Sequence, residues 1–211
     1  MDSAIAGGIE SSSLQPERVY ASGDDREGPY KVAQFTPQDQ SPLAMLKGAE
    51  RTIHKYNVTK EDLYPHIIGS HQRASAALDN PYLQSYIMPI TIDGKRCIDE
   101  CIRPTMNEKL LSRMKPLLGA DSITNAGNAC LTHDGAAFVY LSNKKGPFKI
   151  HSVKPWAGNP QFSPEGALES TEGILKRTGL TMDDIDVVEW NEAFAIIDVL
   201  FNKAYPNHIK K

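Results

Sequence analysis

The sequence feature that most constrains the fold is a strand–turn–helix pattern at residues 185–197. Residues 185–188 are mainly apolar and predict a short buried strand, whereas residues 192–197 have the composition of a helix. Asn191 lies between them, at the kind of junction where α/β proteins place ligand-binding groups. In isolation the commoner role for such an asparagine is an N-cap, whose side-chain oxygen accepts a hydrogen bond from a helix N–H.

The composition is that of an ordinary globular protein. The 211 residues are 40% hydrophobic and 23% charged, and the formal net charge of −3 gives no argument for binding nucleic acid or an anionic membrane. No apolar run approaches the ~20 residues that a membrane-spanning helix needs, and the first residues lack the basic and apolar regions of a signal peptide. We therefore expect neither a nucleic-acid nor a membrane partner.

The three cysteines, Cys97, Cys101 and Cys130, are an odd number and predict no disulfide framework. Reduced thiols are typical of cytoplasmic proteins, so we expect that location. Cys97 and Cys101 are four residues apart, as on one face of a helix, but no second pair of cysteines or histidines lies near them. Since zinc needs about four ligands, we expect no metal site.

Periodicity and capping signals predict the helices. They are expected at residues 41–56, from Thr59 to about residue 78, at 107–115 and at 163–178. Thr59 and Asp62 form an N-cap pattern, but Pro65 disfavours a helix interior and should kink the first turns or delay the start.

Five further extended segments are expected besides the strand at residues 185–188. Residues 3–6 should end a buried strand before the turn or close approach at Gly7 and Gly8. Residues 87–92 and 95–98 should flank a turn, residues 135–141 form the strongest buried strand, and residues 148–153 form the next. Residues 11–40 predict a loop.

Three motifs occur in a fixed order: Ala6-Gly-Gly-Ile-Glu-Ser11, Asn125-Ala-Gly-Asn-Ala-Cys130 with its continuation to Ala137, and Asn191-Glu-Ala-Phe-Ala195. Their order and spacing resemble the thiolase family, whose members carry GGxES, a segment like AGNASxxxDGAA, and NEAFA. The helix from Thr59 and the stretch from Asp99 to Arg103 resemble the inserted loop domain of that family. The resemblance covers essentially all of the chain.

The resemblance implies an α/β fold, the thiolase-like layered αβαβα fold, in an incomplete form. Residues 1–146 would be the C-terminal part of the thiolase N-terminal domain, including the inserted loop domain at about residues 20–115. Residues 147–211 would begin the C-terminal domain. A complementing thiolase chain or a homo-oligomer is the partner that such a portion implies, because both sheets would otherwise have unpaired edges.

The same resemblance implies an acyltransferase that uses coenzyme A (CoA) thioesters as substrates and needs no other cofactor. Asn191 would be the catalytic residue, orienting a water in an oxyanion hole, since an amide donates hydrogen bonds without bringing a charge. Ala193 and Phe194 would line the path of the pantetheine arm.

Further positions match CoA-binding residues of the family. Arg103 would lie near the CoA nucleotide, Met45 at the acyl pocket, and Ala126 and Ala129 beside pantetheine. A solvated arginine and a core methionine are the alternatives for the first two. Cys130 stands where the family has a serine that meets pantetheine, and Ala44 stands where many members have a histidine.

The resemblance also implies three groups that these 211 residues do not contain: a cysteine well before GGxES, the histidine of a GHP motif and the cysteine of a CxGG motif. Cys130, with His133 three residues later, is a possible substitute nucleophile, but we favour a small packed thiol. We expect a truncated acyltransferase of lipid metabolism that is inactive in isolation. The alternatives are a non-catalytic CoA-binding or assembly subunit derived from a thiolase, and an unrelated α/β protein with chance motifs.

Overall fold

The computed structural model describes residues 2–26, 28–35 and 41–208, in which helices and strands are mixed. The α-helices are α1 (Ala44–Lys55), α2 (Lys60–Leu78), α3 (Pro81–Gln84), α4 (Glu108–Leu111), α5 (Glu165–Thr178) and α6 (Ile196–Ala204). The β-strands are β1 (Ser3–Ser11), β2 (Arg18–Val19), β3 (Pro29–Tyr30), β4 (Thr91–Ile92), β5 (Lys95–Arg96) and β6 (Asp134–Ser142). Single turns of 3-10 helix lie at Ser12–Leu14, Pro160–Phe162, Met182–Asp184 and Pro206–His208.

The core is formed by α1, α2, α4 and α6. Ile53, Leu63, Leu111, Ile196 and Leu200 are each no more than 2% exposed and belong to one cluster. Burying such a side chain contributes roughly 1.5–3 kcal/mol. The helices are therefore held mainly by their apolar faces, and they position the loops that follow them.

The start of α2 follows its sequence signal. Thr59 Oγ1 accepts from the N–H of Asp62 at 3.2 Å, and the Asp62 carboxylate accepts from the N–H of Thr59 at 2.8 Å. This capping box satisfies two free N–H groups at once. The helix begins at Lys60 and continues through Pro65, so the predicted delay of its start is wrong.

The helices predicted at residues 41–56 and 163–178 are present with small changes of length, whereas the one predicted at residues 107–115 is much shorter. α1 lies within the predicted range, α4 is a single turn capped by Asn107, and α5 ends at Gly179, whose φ is 73°. The predicted turn between β4 and β5 is formed by Asp93 and Gly94, with φ of 49° and 74°. Positive φ at both residues is typical of a tight hairpin turn.

The long β1–β6 ribbon is antiparallel and pairs Ser3 with Ser142 and Ser11 with Asp134. β1 runs on through both glycines, so the predicted turn there is wrong. The predicted close approach is present at Gly7, where an added Cβ would overlap the carbonyl oxygen of Ala137.

The burial predicted for the strands is wrong. β6 lies where it was expected, but all nine of its residues are exposed, and β1 is exposed along almost its whole length. Residues 148–153 and 185–188 form no strand, and neither stretch is paired with another strand among the described residues. A strand needs a hydrogen-bonded neighbour, and apolar composition alone does not supply one.

The predicted loop at residues 11–40 contains short ordered pieces. β2 and β3 form a two-stranded ribbon, and the rings of Tyr20 and Tyr30 stack with their centroids 4.4 Å apart. The prediction also covers residues 27 and 36–40, which lie outside the described part of the chain. No helix of the described part is long and apolar enough to cross a membrane.

Candidate functional site

A cavity of about 430 Å³ lies between α2 and three loop or junction segments. Its lining from α2 and the segment after β5 comprises His66, Ile67, Ser70, His71, Cys101, Ile102, Arg103 and Met106. The remainder is Met114, the run from Ala126 to Leu131, His133, Glu192, Ala195 and Asp198. The two motifs that sequence reasoning placed at one site therefore meet here.

The turn that carries Ala126 is fixed from behind by Glu50. The Glu50 carboxylate accepts from the N–H groups of Ile123 and Thr124 at 2.9 and 2.8 Å, and from the hydroxyls of Ser122 and Thr124. Burial alone would raise the pKa of Glu50, but these hydrogen bonds outweigh it and hold the pKa below its usual value. The side chain thus anchors one wall of the cavity in its ionised form.

Two asparagines shape the same turn from within. Asn125 Oδ1 accepts from the N–H of Gly127 at 2.8 Å, and Asn128 Oδ1 accepts from the N–H of Asn125 at 2.9 Å. A Cβ on Gly127 would lie 2.6 Å from Met114 Sδ and 2.8 Å from Leu111 Cδ2. Only a glycine lets the backbone approach these side chains so closely.

Residues 128–130 run antiparallel to residues 193–195. The N–H of Cys130 donates to the carbonyl oxygen of Ala193 at 2.8 Å, and the N–H of Ala195 donates to that of Asn128 at 3.0 Å. Ala129 and Phe194 form the bridge between these bonds. Phe194 is buried in the core and Ala193 packs against it, so neither side chain lines the cavity.

Asn191 is not the N-cap of the following helix. α6 begins at Ile196 with Ala195 at the cap position, and residues 192–195 lie in the bridge and turn before it. The pairing of residues 193–195 with residues 128–130 competes with helix formation and delays the helix. Asn191 is exposed, and its side chain lies outside the cavity lining.

Arg103 lines the cavity, whereas Met45 does not. The N–H of Arg103 donates to Nδ1 of His71 at 3.2 Å, and its guanidinium donates to the carbonyl oxygen of Glu100 at 2.7 Å. Burial, then the charge of Arg103, lowers the pKa of His71. Met45 is 47% exposed on α1, outside the core.

The cysteines differ from their predicted environments. Cys97 and Cys101 lie outside the described helices, so they share no helical face, and Cys130 is exposed instead of packed. The ring of His133 contacts Cys101, with Nδ1 3.8 Å from Sγ. Among the described residues no group of three or more histidine, cysteine or acidic side chains could hold a metal ion.

Sequence reasoning missed an acidic group that joins the site to α2. Glu192 accepts from the Ser70 hydroxyl at 2.6 Å and forms an ion pair with Arg73 at 2.8 Å. The signal was present in part, because Glu192 belongs to the NEAFA motif and Ser70 lies in the predicted helix from Thr59 that resembles the loop domain. Their contact depends on the fold and could not be read from spacing.

Asp198 and His66 are two further titratable groups in the cavity wall. Burial, then the charge of Glu192, raises the pKa of Asp198 to about 6, against the opposing effect of Arg73. Burial, then Arg73, lowers the pKa of His66. Relative to solvent, the cavity wall therefore shifts both side chains towards their neutral forms.

The family follows from a comparison of the chain with known proteins. The model of the thiolase N-terminal domain matches residues 1–145. This chain belongs to the thiolase family. The match includes the GGxES and AGNA motifs, and the NEAFA motif lies beyond it.

Relatives of this thiolase-family chain carry acetyltransferase names. A putative acetyl-CoA C-acetyltransferase VraB from Staphylococcus epidermidis is 31% identical over 209 residues, which take in 90% of this chain and 53% of that protein. Its counterpart from Staphylococcus haemolyticus is 29% identical with the same coverage. The chain therefore spans about half the length of these relatives.

Solved thiolase structures confirm the predicted fold. Human mitochondrial 3-ketoacyl-CoA thiolase, solved in complex with CoA, superposes with a TM-score of 0.79 at 27% identity. The match covers 96% of this chain and 55% of that one. Acetyl-CoA acetyltransferase from Syntrophomonas wolfei gives 0.80 at 24% identity, over all of this chain and 57% of that one, which supports the fold alone. The chain has a partial thiolase fold.

Proposed function

We propose that this chain provides the CoA-facing part of a thiolase-type acyltransferase, which moves acyl groups between CoA thioesters. The observation that carries the proposal is the pairing of residues 128–130 with residues 193–195 beside a cavity of about 430 Å³. Ala126, Ala129 and Cys130 would lie against the pantetheine arm. Arg103 would bind the nucleotide phosphates through its guanidinium.

In this proposal Asn191 orients a water in an oxyanion hole. Its exposed amide, with no hydrogen bond to another described side chain, has donors available for that role. Ala193 and Phe194 support the wall from behind, through the main-chain bond to Cys130 and the packed core. The acyl-pocket role of Met45 rests on the family resemblance alone.

We further infer that these 211 residues bind CoA thioesters without turning them over. The groups that would carry the acyl chain and move the proton in the family are not among them. The proposed division is residues 1–146, with the loop domain at about residues 20–115, and residues 147–211. The match of the family model to residues 1–145 supports this boundary.

Calorimetry with CoA tests the binding proposal. We expect measurable heat from the 211-residue chain, and about ten-fold weaker affinity for Arg103→Ala, because a charge-assisted phosphate contact is lost. Arg177→Ala on α5, which does not line the cavity, is the matched control. Unchanged affinity in Arg103→Ala would remove Arg103 from the site. Acyl transfer from acetyl-CoA that is lost in Cys130→Ser would contradict the inference that the chain does not turn over CoA thioesters.

The second candidate is a non-catalytic assembly subunit, and the β1–β6 ribbon favours it. This ribbon exposes three large apolar side chains, Ile5, Ile9 and Tyr140, each to 70–77%. Several such side chains on one ribbon form a larger apolar surface than isolated exposed residues do, and such surfaces mark interaction sites. Absence of heat with CoA, together with association in analytical ultracentrifugation, would favour this function. Both candidates belong to cytoplasmic acyl-CoA metabolism, and the three free thiols support that location.

A further inference from the structure

A thiol and an imidazole lie together in the wall of the cavity, and no CoA contact proposed above uses either. The Sγ atom of Cys101 is 3.8 Å from Nδ1 of His133, a distance that suits a sulfur hydrogen bond. Both residues line the cavity. A thiol in this position can pass its proton to the imidazole as the sulfur attacks an electrophile.

The fold holds both partners in place. The carbonyl oxygen of His133 accepts from the hydroxyl of Ser12 at 2.8 Å, and the next residue, Asp134, accepts from the N–H of Ser13 at 2.9 Å. On the other side, Arg103 follows Cys101 by two residues, and its N–H donates to His71. The sulfur–nitrogen contact is thus built on fixed backbone at both ends.

The other two cysteines lack this combination. Cys97 is exposed and does not line the cavity, and Cys130 lines the cavity without a histidine contact among the described residues. Cys101 is partly exposed, so a small molecule in the cavity can reach it. It is therefore the cysteine whose surroundings favour reaction.

We propose that Cys101 is a thiol–disulfide exchange site that takes a low-molecular-weight disulfide from the cavity. His133 Nδ1 removes the proton from the Cys101 thiol, which requires the neutral ring with its proton on Nε2. The sulfur attacks one sulfur of the disulfide, a new S–S bond forms, and the old S–S bond breaks. The departing thiolate takes the proton and leaves as a thiol, so Cys101 is oxidised and that half of the reagent is reduced.

The cavity defines the class of disulfide. His71 accepts the Arg103 N–H at Nδ1, so its neutral ring carries a proton on Nε2 and can donate. With the guanidinium of Arg103 it gives the cavity donors that suit carboxylates. A peptide-sized disulfide with carboxylate groups, such as oxidised glutathione, fits this chemistry. No bound CoA thioester is needed for the step.

The test follows reaction of the intact 211-residue chain with oxidised glutathione by peptide-resolved mass spectrometry. We expect Cys101 to form the mixed disulfide at least about three-fold faster than Cys97, since an imidazole that accepts the thiol proton as the sulfur attacks increases the exchange rate. His133→Asn should lower the Cys101 rate to that of Cys97 and leave Cys97 unchanged. His151→Asn, at an exposed histidine outside the cavity, is the matched control.

A second measurement needs no variant. In urea sufficient to unfold the chain, the advantage of Cys101 over Cys97 should disappear, because the contact with His133 is lost. Equal rates at the two cysteines in the native protein would overturn the proposal. So would an unchanged Cys101 rate in a His133→Asn variant whose circular dichroism melt matches that of the parent. If that variant does not fold, the proposal is decided by the ratio of the Cys101 and Cys97 rates in the native parent protein and in the unfolded one.

Discussion

The carboxylate of Glu192 accepts a hydrogen bond from the Ser70 hydroxyl, and the two oxygens are 2.6 Å apart. This contact joins the segment that carries the NEAFA motif to the middle of α2. Arg73, one turn further along α2, pairs with the other carboxylate oxygen. The position of the NEAFA segment relative to α2 therefore depends on a charged group at the cavity wall.

We expect Ser70→Ala to lower the free energy of unfolding by about 1 kcal/mol, because the Glu192 oxygen loses a partly buried donor. Arg73→Ala should cost less, about 0.5 kcal/mol or below, since the Arg73 side chain is 65% exposed and water screens the pair. Urea unfolding measures both, with Ser170→Ala on α5 as the control. A larger loss from Arg73→Ala than from Ser70→Ala would contradict this order.

Glu50 should make stability depend on pH. Its pKa is lower in the folded chain than the usual 4.5, so it stabilises the fold above about pH 4.5. That contribution is lost as the pH falls through the folded-state pKa. We expect Glu50→Gln to cost roughly 1–3 kcal/mol at pH 7, because hydrogen bonds to the carboxylate are weakened.

Urea unfolding of the Glu50→Gln variant and its parent at several pH values checks this prediction. The difference between the two proteins should shrink on acidification. Glu61→Gln, on an exposed part of α2, is the control. A difference that stays constant down to the acid limit of folding would show that the charge of Glu50 is not responsible.

Asp198 should make the stability of the fold decrease as the pH rises, the opposite of the effect of Glu50. Its pKa rises from 3.8 to about 6 on folding, so the folded chain keeps a proton that the unfolded chain releases between these values. Stability should therefore fall as the pH rises through this window. Asp198→Asn should remove that slope and stabilise the chain at pH 7.5 by about 1 kcal/mol, a figure reduced for partial exposure to solvent.

Thermal unfolding from pH 4 to pH 8 measures the slope for Asp198→Asn and the parent. The variant Glu192→Gln provides a second check, because it removes the neighbouring charge that helps to raise the pKa of Asp198. Parallel curves for Asp198→Asn and its parent across the window would contradict the prediction.

Gly127→Ala should destabilise the turn at the cavity wall by roughly 1–3 kcal/mol, since the new methyl group overlaps Met114 and Leu111. Gly166→Ala is the matched control on α5, where an added Cβ meets nothing within 4 Å. That control should be neutral or stabilising by up to about 0.5 kcal/mol. Chemical denaturation of both variants measures the contrast, and equal losses would show that close packing at Gly127 is not the cause.

The parts of the fold that local interactions determine were predictable from the sequence. The Thr59 and Asp62 capping box is complete within four residues, and α2 starts where it indicates. β6 was placed correctly, but its burial depends on distant packing that composition cannot report. Asn191 failed as a cap because residues 193–195 pair with a segment more than sixty residues away in the sequence.

The site was predictable only where family motifs carry it. The meeting of the AGNA and NEAFA segments follows from the resemblance, and the structure brings them together. The contacts of Glu192 with Ser70 and of Cys101 with His133 join residues that are distant in the sequence. Neither pairing leaves a periodic or spacing signal, so neither could be found before the fold was known.

The exposed β1–β6 ribbon has a practical consequence for handling the protein. Its two strands pair with each other along nine residues each, and their outer edges have no further strand partner among those described. An apolar strand with an open edge is a template for pairing with further strands. Aggregation should therefore increase steeply with protein concentration, and a lysine in place of Ile5 or Val139 is the substitution most suited to keeping the chain in solution.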